Sequence, residues 1–540
     1  MENLALDIIL QWDSEEARQK MIFGSHRQEA EHYLQAVDEI QSFDDQSAIP
    51  IAMARLENEF HNILISHTIP TSFLHHLNTE EKEIQNSCGC FRFLRSDASE
   101  KRHDDDDKLL RFGDIPYDAI NDLRCIAERM ISSGYLGNCV HVYASVRKSV
   151  FVATLQRLGI GDVQLPLEAK IQRWTEASTV CVRTLFSTEK SLCEDIFDGV
   201  GPEIDHACFM ETVKEPAIQL LNYADATCIS SPSSPHMLFM ILDLYETLAD
   251  FDIVFDFKSC ESIRVMTAEV LPRLVCAVRN TLSLFEITVF QDTSKVVVPG
   301  GAIHPITTYV MNYLKFISDY KQSLNKLIVS KPSFSPDLMN FAFITEEEEG
   351  KTPLAIHLIW IIEILQFNLD VNSKQYKDSS LSHLFMMNNV HCIVNGVKRC
   401  SDLREMIGDN YLRKLIREVQ KAATRYERAT WGRVLDCLKY EGLYAKKGRG
   451  FSKSAVRKRI KRFNAMFKKV HKTQAVWSIP DSQLREDLKN SILQKLIPAY
   501  RIFVGFQVFG DLLGNYFKYF VQDLQAAVLD LFEGIPVSQH

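Results

Sequence analysis

The sequence predicts an all-α protein, an elongated rod of stacked antiparallel helical bundles, and three observations carry that expectation. Apolar residues recur at three- and four-residue spacing from end to end, and no window of comparable length alternates with period two. Glycine and proline number only 22 and 17 in 540 residues. That is well below the roughly 12% of average usage, and turn-dense β architectures need more of both. One stripe, Tyr411 to Tyr440, makes a helix of about 45 Å at 1.5 Å per residue, which suits long antiparallel helices in an extended body better than a compact bundle.

Taken in order, residues 1–86 read as an N-terminal helical region and 87–115 as an acidic flexible linker. The run Glu100-Lys-Arg-His-Asp-Asp-Asp-Asp-Lys108 cannot bury enough apolar area to order itself. A helical bundle over 116–229 opens with a hairpin. Its stripes are Ile120, Leu123, Ile126, Ala127, Met130 and then Val142, Val146, Val150, Leu155, with a break from Gly134 to Gly137. After Ser230-Ser-Pro-Ser-Ser-Pro235, a second bundle over 236–335 carries the stripes Ile263 to Phe290 and His304 to Val329. A long-helix bundle over 352–445 holds Pro353 to Leu369, Leu381 to Val397 and Tyr411 to Tyr440. The last segment, 446–540, is a basic helical domain with stripes Ser454 to His471, Asp481 to Phe509 and Asn515 to Phe532.

Composition excludes several function classes. The thirteen cysteines are spread along the chain without a disulfide framework or paired CxxC spacing, so the sequence predicts a reducing, cytoplasmic setting. Met1 to Trp12 lacks a basic n-region, and the apolar stretch Pro353 to Phe367 falls short of the ~20 residues of a bilayer span. Glu349-Gly350-Lys351-Thr352 imitates the end of a phosphate-binding loop. Four glutamates, Glu346 to Glu349, stand where bare amides are needed, and a solvated acidic loop is the expectation. His75, His76, Cys88 and Cys90 do not have a recognised metal spacing. HExxH and GxSxG are absent, so the sequence predicts no catalytic residue, no metal and no cofactor.

One local feature rises above background. The cations Lys446, Lys447, Arg449, Lys453, Arg457, Lys458, Arg459, Lys461, Arg462, Lys468, Lys469 and Lys472 crowd one stretch without a single acid, in a chain of net charge −9. Val456, Ile460, Phe463, Phe467 and Val470 recur at 4, 3, 4, 3 and form one apolar stripe among them. That stripe docks on the helical body and leaves the cations in water, where they serve as an ordinary solvated face, as a site for an anionic surface, or as a site for nucleic acid or a calmodulin-like acidic protein. Each cation near an anionic leaflet contributes about 1 kcal/mol and a plane meets only a handful, so ~4–6 kcal/mol is the ceiling and a second attachment is required. The interleaved exposed aromatics that single-stranded nucleic acid requires are missing, and no nucleic-acid partner is expected.

Several motifs carry a resemblance. Leu384-Phe-Met-Met-Asn-Asn-Val390, Arg404-Glu-Met-Ile-Gly-Asp-Asn-Tyr411, Tyr426-Glu-Arg-Ala-Thr-Trp431, His471-Lys-Thr-Gln-Ala-Val-Trp-Ser-Ile-Pro-Asp481, Ile497-Pro-Ala-Tyr-Arg501 and Leu531-Phe-Glu-Gly534 stand in the C-terminal half. Upstream are His304-Pro-Ile-Thr-Thr-Tyr-Val-Met-Asn-Tyr313, Ala52-Met-Ala-Arg-Leu-Glu57 and Tyr33 to Ile40. In content, order and spacing they resemble the seventy-kilodalton exocyst subunit family in its plant form. The resemblance implies a non-enzymatic tethering subunit of the helical-rod type that helps hold secretory vesicles at the plasma membrane. It also implies contacts with other exocyst subunits, with Rho-type small GTPases and, through C-terminal basic residues, with anionic phosphoinositide membranes. Of the family's pair of lysines before the last helix, Lys518 matches and Asn515 replaces the other. Most relatives carry several tens of residues before the Trp12-Asp13 region, forming a helix that pairs with another subunit. The alternative expectation is therefore a diverged paralogue, a protein-interaction platform in plant immunity or autophagy-linked trafficking.

Overall fold

A computed structural model describes residues 2–24, 27–43, 47–67, 115–157, 167–229, 234–256, 260–291, 297–330, 350–439, 452–505 and 516–534, with 332, 441 and 443. Apart from Ile115, the expected linker 87–115 lies outside these residues, as do His75, His76, Cys88, Cys90, Lys446, Lys447 and Arg449. Among the described residues the elements are helical throughout, and the backbone pairing outside them is one isolated antiparallel bridge, Ser478 with Glu533. The all-α expectation holds. The chain divides into two units, Met1–Leu282 and Ser283–His540, so one boundary falls inside the segment read from sequence as a single bundle over 236–335.

The first unit contains α1 (Glu2–Asp13), α2 (Arg27–Phe43), α3 (Ile49–Ser66), α4 (Tyr117–Ser132), α5 (Leu136–Arg157), α6 (Leu167–Val180), α7 (Ser187–Ile196), α8 (Pro202–Ile229), α9 (Met237–Ala249) and most of α10 (Glu261–Gln291). A π-helical turn, Cys181–Phe186, joins α6 to α7. The predicted hairpin is α4 with α5, and Gly134 supplies its break at φ 84°, a conformation costly for any residue with a Cβ. Leu123, Ile126, Ala127 and Met130 are buried as their spacing requires. Sequence periodicity did not show two buried ion pairs. Arg55 meets Glu59 at 2.7 Å, and Glu59 also accepts the amides of Ile22 and Phe23 at 3.0 and 3.4 Å. Arg147 meets Glu189 at 2.6 Å, and Glu189 accepts the Tyr143 hydroxyl at 2.8 Å.

The second unit follows with α11 (Pro305–Asp319), α12 (Lys321–Leu327), α13 (Pro353–Ser373), α14 (Ser379–Arg399), α15 (Ser401–Ile407), α16 (Asp409–Asp436), α17 (Lys453–Gln474), α18 (Ser482–Val504) and α19 (Val521–Leu529). Caps set the starts. Thr352 Oγ1 accepts from the Ala355 amide at 3.3 Å, so the loop that imitates a phosphate site opens α13. Asp481 accepts from the Leu484 amide at 2.8 Å, which holds its carboxyl below the usual range. The most extensive pairing is α14 with α16.

Three sequence readings need correction. The apolar run at 353 continues to Ser373, because Asn368 donates to the Val289 carbonyl and lets a polar turn stay buried. At 21 residues α13 is long and apolar enough to cross a membrane, yet most of it is buried in this unit, as in a core helix. The stripe His304 to Val329 breaks at Tyr320 into α11 and α12. The stripe Asn515 to Phe532 supplies, among the described residues, only the nine of α19 and a 3-10 turn at Tyr516, with non-helical backbone at 517–520 and Phe532 at φ 69°.

Removing one partner of a buried ion pair leaves an uncompensated charge. We therefore expect Arg147→Met to lower the unfolding free energy by about 3–5 kcal/mol, read as a shifted urea midpoint with an unchanged slope.

Candidate anion-binding surface

Helix α17 sets the cationic surface. Ser452 Oγ accepts from the Ala455 amide at 3.4 Å and starts the helix. Val456, Ile460, Phe463 and Phe467 are buried, each worth about 1.5–3 kcal/mol of apolar transfer, whereas Val470 is only half-buried. Phe463 stacks on Tyr500 of α18 with centroids 5.3 Å apart, and Phe467 meets Trp431 of α16 at 6.3 Å. At about 100° per residue, Arg457, Lys458, Lys461, Arg462, Lys468, Lys469 and Lys472 fall on the half of the circumference opposite this stripe, and Lys453 stands at its flank in the first turn. All eight are exposed, and none forms an ion pair among the described residues.

Arg459 is different. It projects from the other flank of the stripe, and its guanidinium donates to the carbonyls of Asp436, Lys439 and Glu441 at 2.8, 3.2 and 2.7 Å. It thereby satisfies the orphan carbonyls where α16 ends. Grouped by sequence with the lipid-facing cations, Arg459 is committed by its geometry to holding α16 against α17. Asp436 beside it is held below the usual carboxylate range, first by its hydrogen bond to Lys439 and further by Arg462 and Arg459.

The structure also brings in residues that spacing did not connect. Asn464 Nδ2 donates to the Tyr516 carbonyl at 2.9 Å, which lays the segment before α19 along α17. The Tyr516 ring lies beneath Arg457 and Lys461, 4.8 and 5.6 Å from its centroid. Lys518, two residues on, is exposed and joins the same neighbourhood. Sequence reasoning did not link Tyr516 or Asn464 to the cations; the signal for Tyr516 is the aromatic-rich stretch around Lys518. At the other end, Gln474 accepts from the Tyr426 hydroxyl at 2.6 Å and donates to Thr430 at 3.2 Å, while Trp431 donates to Tyr426 at 3.1 Å. Lys489, 3% exposed, donates to Glu533 at 2.8 Å and fastens the chain after α19.

A cavity of about 490 Å³ in the same unit is lined by Met311, His391, Cys392, Asn395, Arg399 and Asp481, among others. His391 stands 3.4 Å from Asp481, and Asn395 bridges the two at 3.0 and 3.1 Å. Burial pushes the Cys392 thiol up, away from the thiolate a nucleophile requires. The described residues contain no group of three metal-ligating side chains.

Fold and surface together define an all-α scaffold with an exposed cationic face. The family model for the C-terminal part of the Exo70 exocyst complex subunit matches residues 172–530, and the model for the N-terminal part of exocyst complex component Exo70 matches 3–66. The chain is 36% identical over 442 residues to exocyst complex component EXO70B1 of Arabidopsis thaliana, covering 78% of this chain and 67% of that protein. EXO70C2 of the same plant is 33% identical over 523 residues, covering 89% and 71%. The crystal structure of the exocyst component Exo70p of S. cerevisiae shares the fold, with a TM-score of 0.54 at 14% identity over 98% of this chain and 99% of that one. The chain belongs to the Exo70 family of exocyst subunits, in its plant form.

Two stability measurements follow from this geometry. Arg459→Ala is expected to cost about 1–2 kcal/mol in urea unfolding through its lost carbonyl contacts, and Lys458→Ala less than about 0.5 kcal/mol. The Lys489 ammonium holds the Glu533 carboxyl below its ordinary value of 4.5. A depressed carboxylate stabilises the fold above its unfolded value, and that contribution is lost as pH falls below 4.5 through the lowered folded value. Glu533→Gln should therefore destabilise at pH 7 and converge with the unmodified chain in strong acid, measured by thermal unfolding across pH.

Proposed function

We propose that this chain is a non-enzymatic exocyst-type tethering subunit that helps dock secretory vesicles at the plasma membrane. Its C-terminal cationic face meets anionic phosphoinositide headgroups, while other surfaces engage exocyst subunits and Rho-type small GTPases. It works in the cytoplasm and is recruited to the membrane peripherally. The observation that carries the membrane part is the row of exposed, unpaired cations on α17, set opposite a buried apolar stripe and joined by Lys518. Membership in the Exo70 family supports the tethering part.

In this reading the contact residues are Lys453, Arg457, Lys458, Lys461, Arg462, Lys468, Lys469 and Lys518, while Arg459 holds the surface together. Their long side chains keep the charge in water until a headgroup replaces it, so binding weakens with salt as screening grows. Vesicle sedimentation tests it. Phosphoinositide-containing vesicles should retain the chain at low salt and release it as salt rises. Glu substitutions at Arg457, Lys458, Lys461 and Arg462 should weaken retention by tenfold or more. Equal retention on neutral vesicles would refute the reading.

A further inference from the structure

The segment Tyr516-Phe517-Lys518-Tyr519-Phe520 puts four aromatic rings and a cation into five residues beside the cationic half of α17. Its backbone is fixed at three points. Tyr516 accepts from Asn464 at 2.9 Å, Tyr519 accepts from the Tyr500 hydroxyl at 2.6 Å, and the Phe520 amide donates to Asp523 at 2.7 Å. Two rings turn onto protein. Tyr516 lies beneath Arg457 and Lys461, and Tyr519 sets its edge against Phe467 with centroids 5.1 Å apart. Phe520 does not. It is 78% exposed, the most exposed large hydrophobic side chain among the described residues, on a segment held by these three hydrogen bonds.

We propose that Phe520 is a membrane-inserting anchor, entering the headgroup–acyl boundary of an anionic bilayer as Lys518, Arg457 and Lys461 meet the lipid phosphates. The proposal rests on the cationic reading above and supplies the second attachment that charge alone lacks. Aromatic rings flanked by lysine are the composition of a membrane interface, where the ring enters the apolar boundary and the ammonium stays at the phosphates. A single ring is far too small for a stable protein interface, which buries roughly 800 Å² on each partner. The unpaired cations beside it select a negatively charged surface. Insertion of an apolar group, unlike attraction between exposed charges, survives added salt.

The test uses the full chain and phosphatidylcholine vesicles with and without phosphatidylserine, one set carrying brominated acyl chains. Phe520→Trp adds a reporter to a chain whose own Trp174, Trp360, Trp431 and Trp477 are buried and whose Trp12 is half-buried, so the unmodified chain supplies the background. On anionic vesicles its emission should shift to the blue and be quenched by bromine beyond the native background. Phe520→Ser should bind roughly tenfold more weakly and lose the salt-resistant fraction of binding, with thermal unfolding unchanged. Vesicle binding with an unquenched Phe520→Trp and an unweakened Phe520→Ser would overturn insertion while leaving the cationic face standing. Failure of the unmodified chain to bind anionic vesicles at all would overturn both.

Discussion

Burial of one side of α17 decides what its other side can do. A helix carrying this many like charges repels itself, and its own sequence gives it little reason to be ordered in water. Val456, Ile460, Phe463 and Phe467 supply that reason by their burial, Phe463 against Tyr500 and Phe467 against Trp431 and Tyr519. Once that side is fixed, the helical repeat turns eight cations toward solvent, and no rearrangement of single side chains hides them.

The polar contacts around this helix serve the same end. Gln474 sits in a closed network with Tyr426, Thr430 and Trp431, so the end of α17 is tied to the middle of α16. Arg459 ties the start of α17 to the end of α16. Asn388 donates to the carbonyls of Gly301 and Ser478 at 2.7 and 2.8 Å, and the Ser478 amide donates to Gly300 at 2.9 Å. Gly300 stands at φ 67° with the Val476 carbonyl 3.0 Å from where a Cβ would be, so any larger residue forces that crossing apart. Lys489 and the Ser478 bridge then hold Glu533 and the chain around it.

Apart from α13, which is buried nearly all round, the helices were legible through their apolar stripes, and the same logic read the apolar and cationic sides of α17. Several polar side chains inside the quoted family motifs, such as Asn388, Tyr426, Trp431, Gln474 and Asp481, are buried partners or caps, so these parts of the resemblance mark the scaffold. What stayed hidden depends on long-range partners. The acceptors of Arg459 are backbone carbonyls, which leave no mark in a sequence, and Tyr516 reaches Arg457 and Lys461 only because Asn464 anchors its carbonyl. The short α19 was overread because Phe517, Tyr519 and Phe520 continue an apolar spacing that the backbone, fixed by Tyr500 and Asp523, does not follow. The length of α13 was underread because buried asparagines look like an end to an apolar run.

The central claim is that the eight exposed cations of α17 and Lys518 form no ion pair among the described residues of the protein alone and are occupied on an anionic bilayer. Amine-reactivity footprinting, read lysine by lysine by mass spectrometry with and without phosphoinositide vesicles, tests it most directly. The account predicts that Lys453, Lys458, Lys461 and Lys518 react as fast as free surface amines in solution and become protected on the vesicles, while Lys489 resists labelling in both. Slow labelling of those four before any lipid is added, or vesicle protection spread evenly over the chain, would contradict it.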